Sequence, residues 1–175
     1  SSPATFYTVG TCGAFGGLAI EGEGTGGTNA SYATLKAAFD AINAGTHTGT
    51  ITIDVCGNTT EGATSIVLNA SGSGSASYTS IVMSPAGGAS RTITAATTAG
   101  SPMIDLNGAD NLTIDGLNTG GNSLTISNTT ASSSSGTSTI RFIADATNNT
   151  ITNSSILGSP SMPMTTNGGI IFFST

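Results

Sequence analysis

From Ile51 onward the chain alternates short β-branched runs with turns rich in Asn, Gly, Ser and Asp. Apolar residues recur at every second position of these runs, a pattern typical of half-buried strands and not of a disordered chain. One such unit cannot bury its apolar side alone, so it must stack on its neighbours. The runs are ITIDVCGN, TSIVLNAS, TSIVMSPAG, RTITAATT, PMIDLNGADN, LTIDGLN, SLTISNTT, TIRFIADATN, NTITNSSILG and GGIIFFST.

The order of runs repeats along the chain. Ile104 corresponds to Ile140 or Arg141 and then to Ile170, and LTIDG corresponds to TITNS. The repeat is irregular, about 30 to 38 residues, which falls among the periods typical of solenoids and equals one coil of a three-sided β-helix. We therefore predict an all-β fold, a right-handed parallel β-helix. A β-sandwich is the alternative, because the turn spacing partly fits it.

Asparagine is expected at the corners of the coils. Its side chain tolerates left-handed backbone and bonds to neighbouring peptide groups. Stacked amides can also form ladders between coils. The corner positions predicted in this way are Asn107, Asn111, Asn149 and Asn153.

A single helix is predicted over residues 32–44, where Leu35, Phe39 and Ile42 form one apolar stripe. Ser31 is expected to cap its start and Gly45 its end. Such a helix would cover the open edge of the first coil. Residues 1–50, including a strand at 6–10, form the predicted N-terminal cap. Residues 51–175 form the coils, which we expect to continue beyond 175.

The charge pattern excludes two classes of partner. Only 7% of residues are charged, the net charge is −6, and the three basic residues are Lys36, Arg91 and Arg141. Nucleic-acid binding needs a basic face, and a polybasic membrane patch needs clustered lysine or arginine. No apolar stretch reaches the ~18 residues of a membrane span. A start at Ser1 rather than Met fits a processed, exported protein or a trimmed chain.

Parallel β-helices often house glycan-cleaving sites, which need clustered carboxylates for Ca²⁺ binding or acid–base chemistry. A lyase base here would have to be one of the three basic residues. Nothing in the sequence brings acids and bases together, so we predict no catalytic residue, no metal site and no cofactor. The candidate acids, read as solvated or turn-forming residues, are Asp54, Asp105, Asp110 and Asp115.

Other polar residues are assigned to loops. His47, within GTHTGT, is predicted to be a surface loop residue, and Glu21, Glu23 and Glu61 to be solubilising residues of Gly-rich loops. The GEGTGG run at 22–27 lacks the GK[ST] ending of a phosphate loop, so nucleotide binding is not expected. A carbohydrate-binding module would need exposed aromatic residues, but there is no Trp and only three Tyr.

Much of the chain from Tyr32 to the end resembles the N-terminal part of large secreted β-helix proteins of Bacteroidetes, exported by the type IX route. The resembling segments are YATLKAAFDAINAGTHTGTITIDVCGNTTEGATSIVLNASGSGS, LNGADNLTIDGLN, STIRFIADATNNTITNSSILG and GGIIFFST. The resemblance implies a secreted or cell-surface β-helix that continues past residue 175.

The leading functional hypothesis is a non-catalytic surface module with a structural, adhesive or filament-forming role. The alternative is the N-terminal part of a polysaccharide-acting enzyme, lyase or glycoside hydrolase-like, or a carbohydrate-binding module. We expect no nucleic-acid partner and no membrane insertion, and we leave surface glycans open as partners.

The last run ends in an apolar strand with no cap. Terminal solenoid repeats normally carry a polar outer face, so this strand is predicted to form a stacking edge. The expected partner is a further coil of the same parent chain or another copy stacked end to end, which would build a filament. The predicted edge residues are Ile170, Ile171, Phe172 and Phe173.

Two cysteines, Cys12 and Cys56, lie 44 positions apart, and each is followed by Gly. Their spacing is not that of a metal site. In an exported protein they are expected to form a disulfide that ties the N-terminal segment to the first long strand. Two separate buried thiols are the alternative.

The disulfide can be tested by mass spectrometry. Alkylation of native protein without reductant should add no mass, whereas alkylation after reduction should modify both cysteines. Loss of a bridge of this span should lower the free energy of unfolding by about 4 kcal/mol in the loop-entropy account. Two alkylated cysteines in unreduced protein would contradict the pairing.

Overall fold

The structure is a computed structural model that describes residues 11–162 and 167–174. Two strands and one helix precede the coils, namely β1 (Ile20–Gly27), β2 (Ala30–Tyr32) and α1 (Leu35–Asn43). The predicted strand at 6–10 lies outside the described residues. About four stacked coils follow, so the predicted parallel β-helix is confirmed.

The coils form three sheets of parallel strands. Sheet A contains β3 (His47–Val55), β6 (Tyr78–Pro85), β9 (Leu112–Asp115) and β12 (Thr150–Thr152). Sheet B contains β4 (Thr59–Thr60), β7 (Ser90–Ala95), β10 (Ser123–Asn128) and β13 (Ser154–Leu157). Sheet C contains β5 (Ile66–Asn69), β8 (Pro102–Asn107), β11 (Ser138–Ile143) and β14 (Gly169–Phe173). Parallel pairing between successive coils excludes the sandwich, whose strands are antiparallel.

Equivalent aliphatic residues of successive coils form columns inside the solenoid. Ile51 pairs with Ile81 in sheet A, and Ile93 pairs with Ile126 in sheet B. In sheet C the column consists of Ile66, Ile104, Ile140 and Ile171. Ile140, not Arg141, therefore corresponds to Ile104, and the next member is Ile171 rather than Ile170. A one-residue shift matters because it would turn every inward side chain outward.

Asparagines tie the coils together at the corners, as predicted. Asn107 donates from Nδ2 to Oδ1 of Asn69 at 3.0 Å, which forms an amide ladder. Asn149 accepts from the Leu112 amide at 2.9 Å. Asn111 and Asn153 have φ values of 60° and 51°, the left-handed backbone expected of corner residues.

Helix α1 covers the first coil at sheet C. Its buried residues include Leu35, Phe39 and Ile42, as predicted. Asn43, at the end of the helix, donates to the Val67 carbonyl and accepts from the Asn69 amide, at 2.8 and 3.0 Å. This side chain therefore satisfies the outer edge of β5 in place of a neighbouring strand.

The helix begins three residues later than predicted. Its N-cap is Thr34, whose hydroxyl accepts from the Ala37 amide at 3.2 Å, and not Ser31. Ser31 lies in β2 and donates to the Phe15 carbonyl at 2.8 Å. Gly45, with φ of +77°, follows the helix C-terminus as predicted.

Strand β1 was not predicted, because its sequence IEGEGTGG is rich in Gly and poor in β-branched residues. It pairs antiparallel with β3 and, on its other side, with β2. Glycine is required by the close approach of the two chains, since a Cβ at Gly24 would lie 2.8 Å from the Thr48 carbonyl oxygen. β3 begins at His47, so the predicted boundary at residue 50 falls inside a strand.

Truncation of Phe39 tests the role of α1 as a cap. Phe39 is fully buried, so Phe39→Ala should lower the free energy of unfolding by about 3–5 kcal/mol. The measurement is urea unfolding followed by circular dichroism. The matched control is Asp40→Asn on the exposed side of the same helix, where loss of the ion pair with Lys36 should cost less than about 1 kcal/mol. Equal effects of the two variants would show that α1 is not packed on the solenoid.

Candidate functional site at the open end of the coil stack

The last described coil presents three strand edges. Within the described residues, β12, β13 and β14 each pair on one side only, with β9, β10 and β11. The backbone groups on the other side resemble those of any sheet edge and can pair with another strand. The predicted stacking edge therefore lies at the end of a sheet, on β14.

Apolar side chains are exposed at the same end. Among the described residues, five large hydrophobic side chains are exposed, and four of them lie on β13 and β14. These four are Leu157 (49% exposed), Ile170 (44%), Ile171 (41%) and Phe173 (73%). Phe172 is half-buried. These side chains are clustered at one end of the described coils and are not scattered over the surface.

Two aromatic rings show how a coil covers the one before it. Phe142 and Phe173 stack with ring centroids 4.8 Å apart and planes 14° apart. Phe142 is only 8% exposed, whereas Phe173 is 73% exposed. An open depression of about 360 Å³ lies beside this pair, lined also by Ile151 and Ile171. The end of the stack therefore offers an apolar, aromatic surface next to free strand edges.

Two of the three strand edges at the opposite end are covered. The edge of β3 is paired with β1, and the edge of β5 is covered by α1. Within the described residues β4 pairs with β7 only, and β2 with β1 only. Glu61 accepts from the Leu35 and Lys36 amides at 2.8 and 3.0 Å, which fixes the helix N-terminus to the loop after β4. The prediction that Glu61 is a solubilising residue is wrong, since it is buried and caps the helix.

The four candidate acids are not brought together in one cleft. Asp110 accepts from the amide and hydroxyl of Thr147, both at 2.6 Å. Asp115 accepts from the Leu117 amide and from Asn153, both at 2.9 Å. These two acids are turn formers, as predicted.

Asp105 and Asp54 are buried, which corrects their assignment as solvated or turn-forming residues. Asp105, on β8, accepts two hydrogen bonds from Arg141 on β11, at 2.9 and 2.6 Å. These bonds raise the pKa of Arg141. Asp54 lies on β3 directly opposite Glu21 of β1. No group of three or more His, Cys, Asp or Glu side chains suited to a metal occurs in the described ranges.

The three basic residues are occupied by bonds within the fold. Arg141 pairs with Asp105, as described above. Lys36 pairs with Asp40 at 2.8 Å on α1. Arg91 donates from Nε and Nη2 to the Ala86 carbonyl, at 3.2 and 2.9 Å. Each therefore stabilises a local structure and is separated from the other two along the fold.

His47 is fully buried, so its predicted position in a surface loop is wrong. Its Nε2 lies 2.7 Å from the Tyr32 hydroxyl, and a Cβ at Gly22 would lie 2.8 Å from the same nitrogen. Burial lowers the pKa of His47. A sequence signal was available, since the two-residue alternation of Ile51 and Ile53 reaches His47 when it is extended backwards.

Cys12 and Cys56 form the predicted disulfide, with their Cα atoms 5.5 Å apart. Glu21 lies near this junction. Its Oε1 accepts from the Gly13 amide at 2.8 Å and from the Phe15 amide at 3.4 Å. Through these bonds Glu21 fixes the segment that precedes β1. It is 1% exposed, so the prediction of a solubilising residue is wrong. Glu23, on β1, is half-buried and was also assigned to a loop in error.

The tyrosines do not form a sugar-binding platform in the described residues. Tyr78 is buried and donates to the Asn69 carbonyl, and burial is the main cause that raises its pKa to about 12. Tyr32 is half-buried beside His47. Tyr7 lies outside the described residues.

Comparisons with protein families, with curated proteins and with solved structures found no match for this chain. Within the described residues, no helix is long and apolar enough to cross a membrane.

The buried histidine predicts a pH dependence of stability. An unfolded His binds a proton as the pH falls through about 6.5, whereas His47, with its lowered pKa, stays neutral to a lower pH. The unfolded state then binds more protons, so the free energy of unfolding should fall as the pH is lowered from 6.5 to 5.5. Urea titrations across this range measure it. His47→Gln should remove most of the slope, and an unchanged slope in this variant would contradict the assignment.

Proposed function

We propose that this chain is a non-catalytic structural module of the cell exterior, secreted or on the cell surface. Its functional site is the open end of the coil stack, which receives a further β-helix coil. The observation that carries this proposal is the difference between the two ends. At one end β1 and α1 cover the edges of β3 and β5, whereas the last described coil presents three strand edges together with exposed apolar side chains.

The strand edges and apolar side chains of the open end limit what can bind there. Three parallel edges can pair with three strands only if the incoming strands have the same triangular arrangement. The exposed faces of Ile171 and Phe173 require an apolar column in register with them. A coil of the same type meets both conditions, because Phe173 already covers Phe142 in this way.

The covered end limits how copies of the chain can assemble. Head-to-tail stacking would place open edges against α1 and β1, where no matching edges of β3 or β5 are free. Two open ends can face each other, and such a contact closes on itself as a dimer. The geometry thus favours addition of a further coil at the open end. When no such coil is present, it favours pairing of two open ends and not a head-to-tail filament.

Carboxylates that are bonded to groups within the fold support a non-catalytic role. Catalytic carboxylates must be free to accept or donate protons to a substrate. In the described residues, Asp105, Asp110 and Asp115 are bonded to groups of their own or neighbouring coils. The disulfide supports an extracellular location, because disulfides persist in oxidising compartments.

Sedimentation of the purified chain tests the site. We expect association that increases with concentration and stops at a dimer, because two open ends that face each other leave no open end for a third chain. Phe173→Asp places a charge on the exposed ring position and should shift the protein to monomer, as like charges face each other across the contact.

The matched control is Leu18→Asp. Among the described residues Leu18 is the one exposed large hydrophobic outside β13 and β14, at 46%. It lies near the Cys12–Cys56 disulfide, away from the last coil. This variant should associate like the parent. A strictly monomeric parent at high concentration would contradict the proposal, and long fibres would contradict the closed-dimer argument in favour of head-to-tail stacking.

The enzymatic alternative has its own readout. Acidic and neutral polysaccharides can be incubated with the protein, with and without Ca²⁺. The measurement is the number of new polysaccharide ends. Turnover that is abolished by Asp115→Asn in a folded variant would favour a lyase-like activity over the structural role.

A further inference from the structure

The outer face of sheet B carries two rows of hydroxyl groups. The parallel register places Thr125 beside Thr92 and Ser155, and Ser127 beside Thr94 and Leu157. The second row of hydroxyl groups therefore ends at Ser127. Thr60 precedes Thr94 in the second row. The residues between the two rows, Ile93, Ile126 and Ile156, belong to the apolar column on the other side of the sheet.

This array is regular in two directions. Neighbouring strands of a sheet lie about 4.7–4.9 Å apart, and side chains on one face recur at about 6.6 Å along a strand. The array is also rigid, because Ile93 and Ile126 are fully buried and fix the strands from behind. The result is a regular array of six hydroxyl groups in two rows, with the methyl groups of four threonines between them.

The hydroxyl groups are available. Within the described residues none of the six forms a hydrogen bond, and all six side chains are half-buried or exposed. The two rows contain no charged and no aromatic residue. Sheet C, by contrast, carries the Asp105–Arg141 pair, and sheet A carries Asp115.

The chemistry of the rows selects a neutral, flat and periodic partner. A charged ligand would need a countercharge, and the net charge of −6 disfavours anionic surfaces. Single sugars are usually held by aromatic stacking and polar pockets, which the two rows lack. A lattice of water needs only fixed hydroxyl groups that donate and accept, and methyl groups that order water between them.

We propose that the outer face of sheet B binds ice. Each hydroxyl group takes the place of a lattice water, and the rigid strands keep the rows in register with the crystal. Preorganisation lowers the cost of binding, because no side chain or loop has to be ordered on contact. This site is on a face of the solenoid and does not depend on the open end.

The test uses ice growth in solutions of the intact chain. Ice crystals should become faceted, and recrystallisation of a frozen film should slow, relative to an equal concentration of an unrelated globular protein. Thr125 lies at the centre of the array. Thr125→Tyr should raise the protein concentration needed to slow recrystallisation about tenfold, equivalent to about 1.4 kcal/mol of binding. Thr125→Val, which keeps the shape and removes the hydroxyl, should weaken the effect with less risk to folding.

The matched control is Thr113→Tyr on β9, the corresponding central position of sheet A, which should leave ice growth unchanged. Circular dichroism establishes that each variant is folded. The proposal is overturned if the parent chain does not alter ice growth, or if Thr113→Tyr is as harmful as Thr125→Tyr. Retention on crystalline cellulose or chitin without any effect on ice would assign the face to a glycan instead.

Discussion

Stacking of equivalent residues in successive coils is the constraint on which the rest of this structure depends. No coil has a core of its own, since each buries its Ile, Leu or Phe column only against the coil before and the coil after it. The column in sheet C shows this directly, because Ile66, Ile104 and Ile140 are buried while Ile171, in the last described coil, is 41% exposed. The same residue type in the same register therefore becomes a core residue or an interaction surface according to its place in the stack.

Polar groups hold the coils in register. Asn43 satisfies the edge of β5, Glu61 caps α1, and Asp115 bonds to Asn153 of the next coil. The bidentate pair of Asp105 and Arg141 does the same between β8 and β11 in sheet C. Two of the four candidate acids, Asp105 and Asp115, are bonded in this way to a neighbouring coil, so neither belongs to a shared cleft.

The periodic part of the fold could be predicted, and the parts made by tertiary contacts could not. Alternation in ITIDV or RTITA identifies strands, and the stripe of Leu35, Phe39 and Ile42 identifies α1, because these signals are local. Strand β1 could not be predicted, because its glycines have low strand propensity and form a strand only by pairing with β3. The burial of His47 and Glu61 has the same origin, since each is enclosed by a segment distant in sequence. The apolar character of β14 could be read from the run GGIIFFST, and the prediction that this strand receives a further coil or another copy stays a prediction.

Inward and outward positions of the coils are under different physical constraints. Inward residues are fixed by the column, but outward residues contact few neighbours, so the faces can change with little loss of stability. The outer face of sheet B shows this freedom, since Ser127 of β10 lies beside Thr94 on one side and beside Leu157 on the other. On the inner face of the same strands Ile126 lies beside Ile93 and Ile156, so the column keeps the register while the type of outward residue changes.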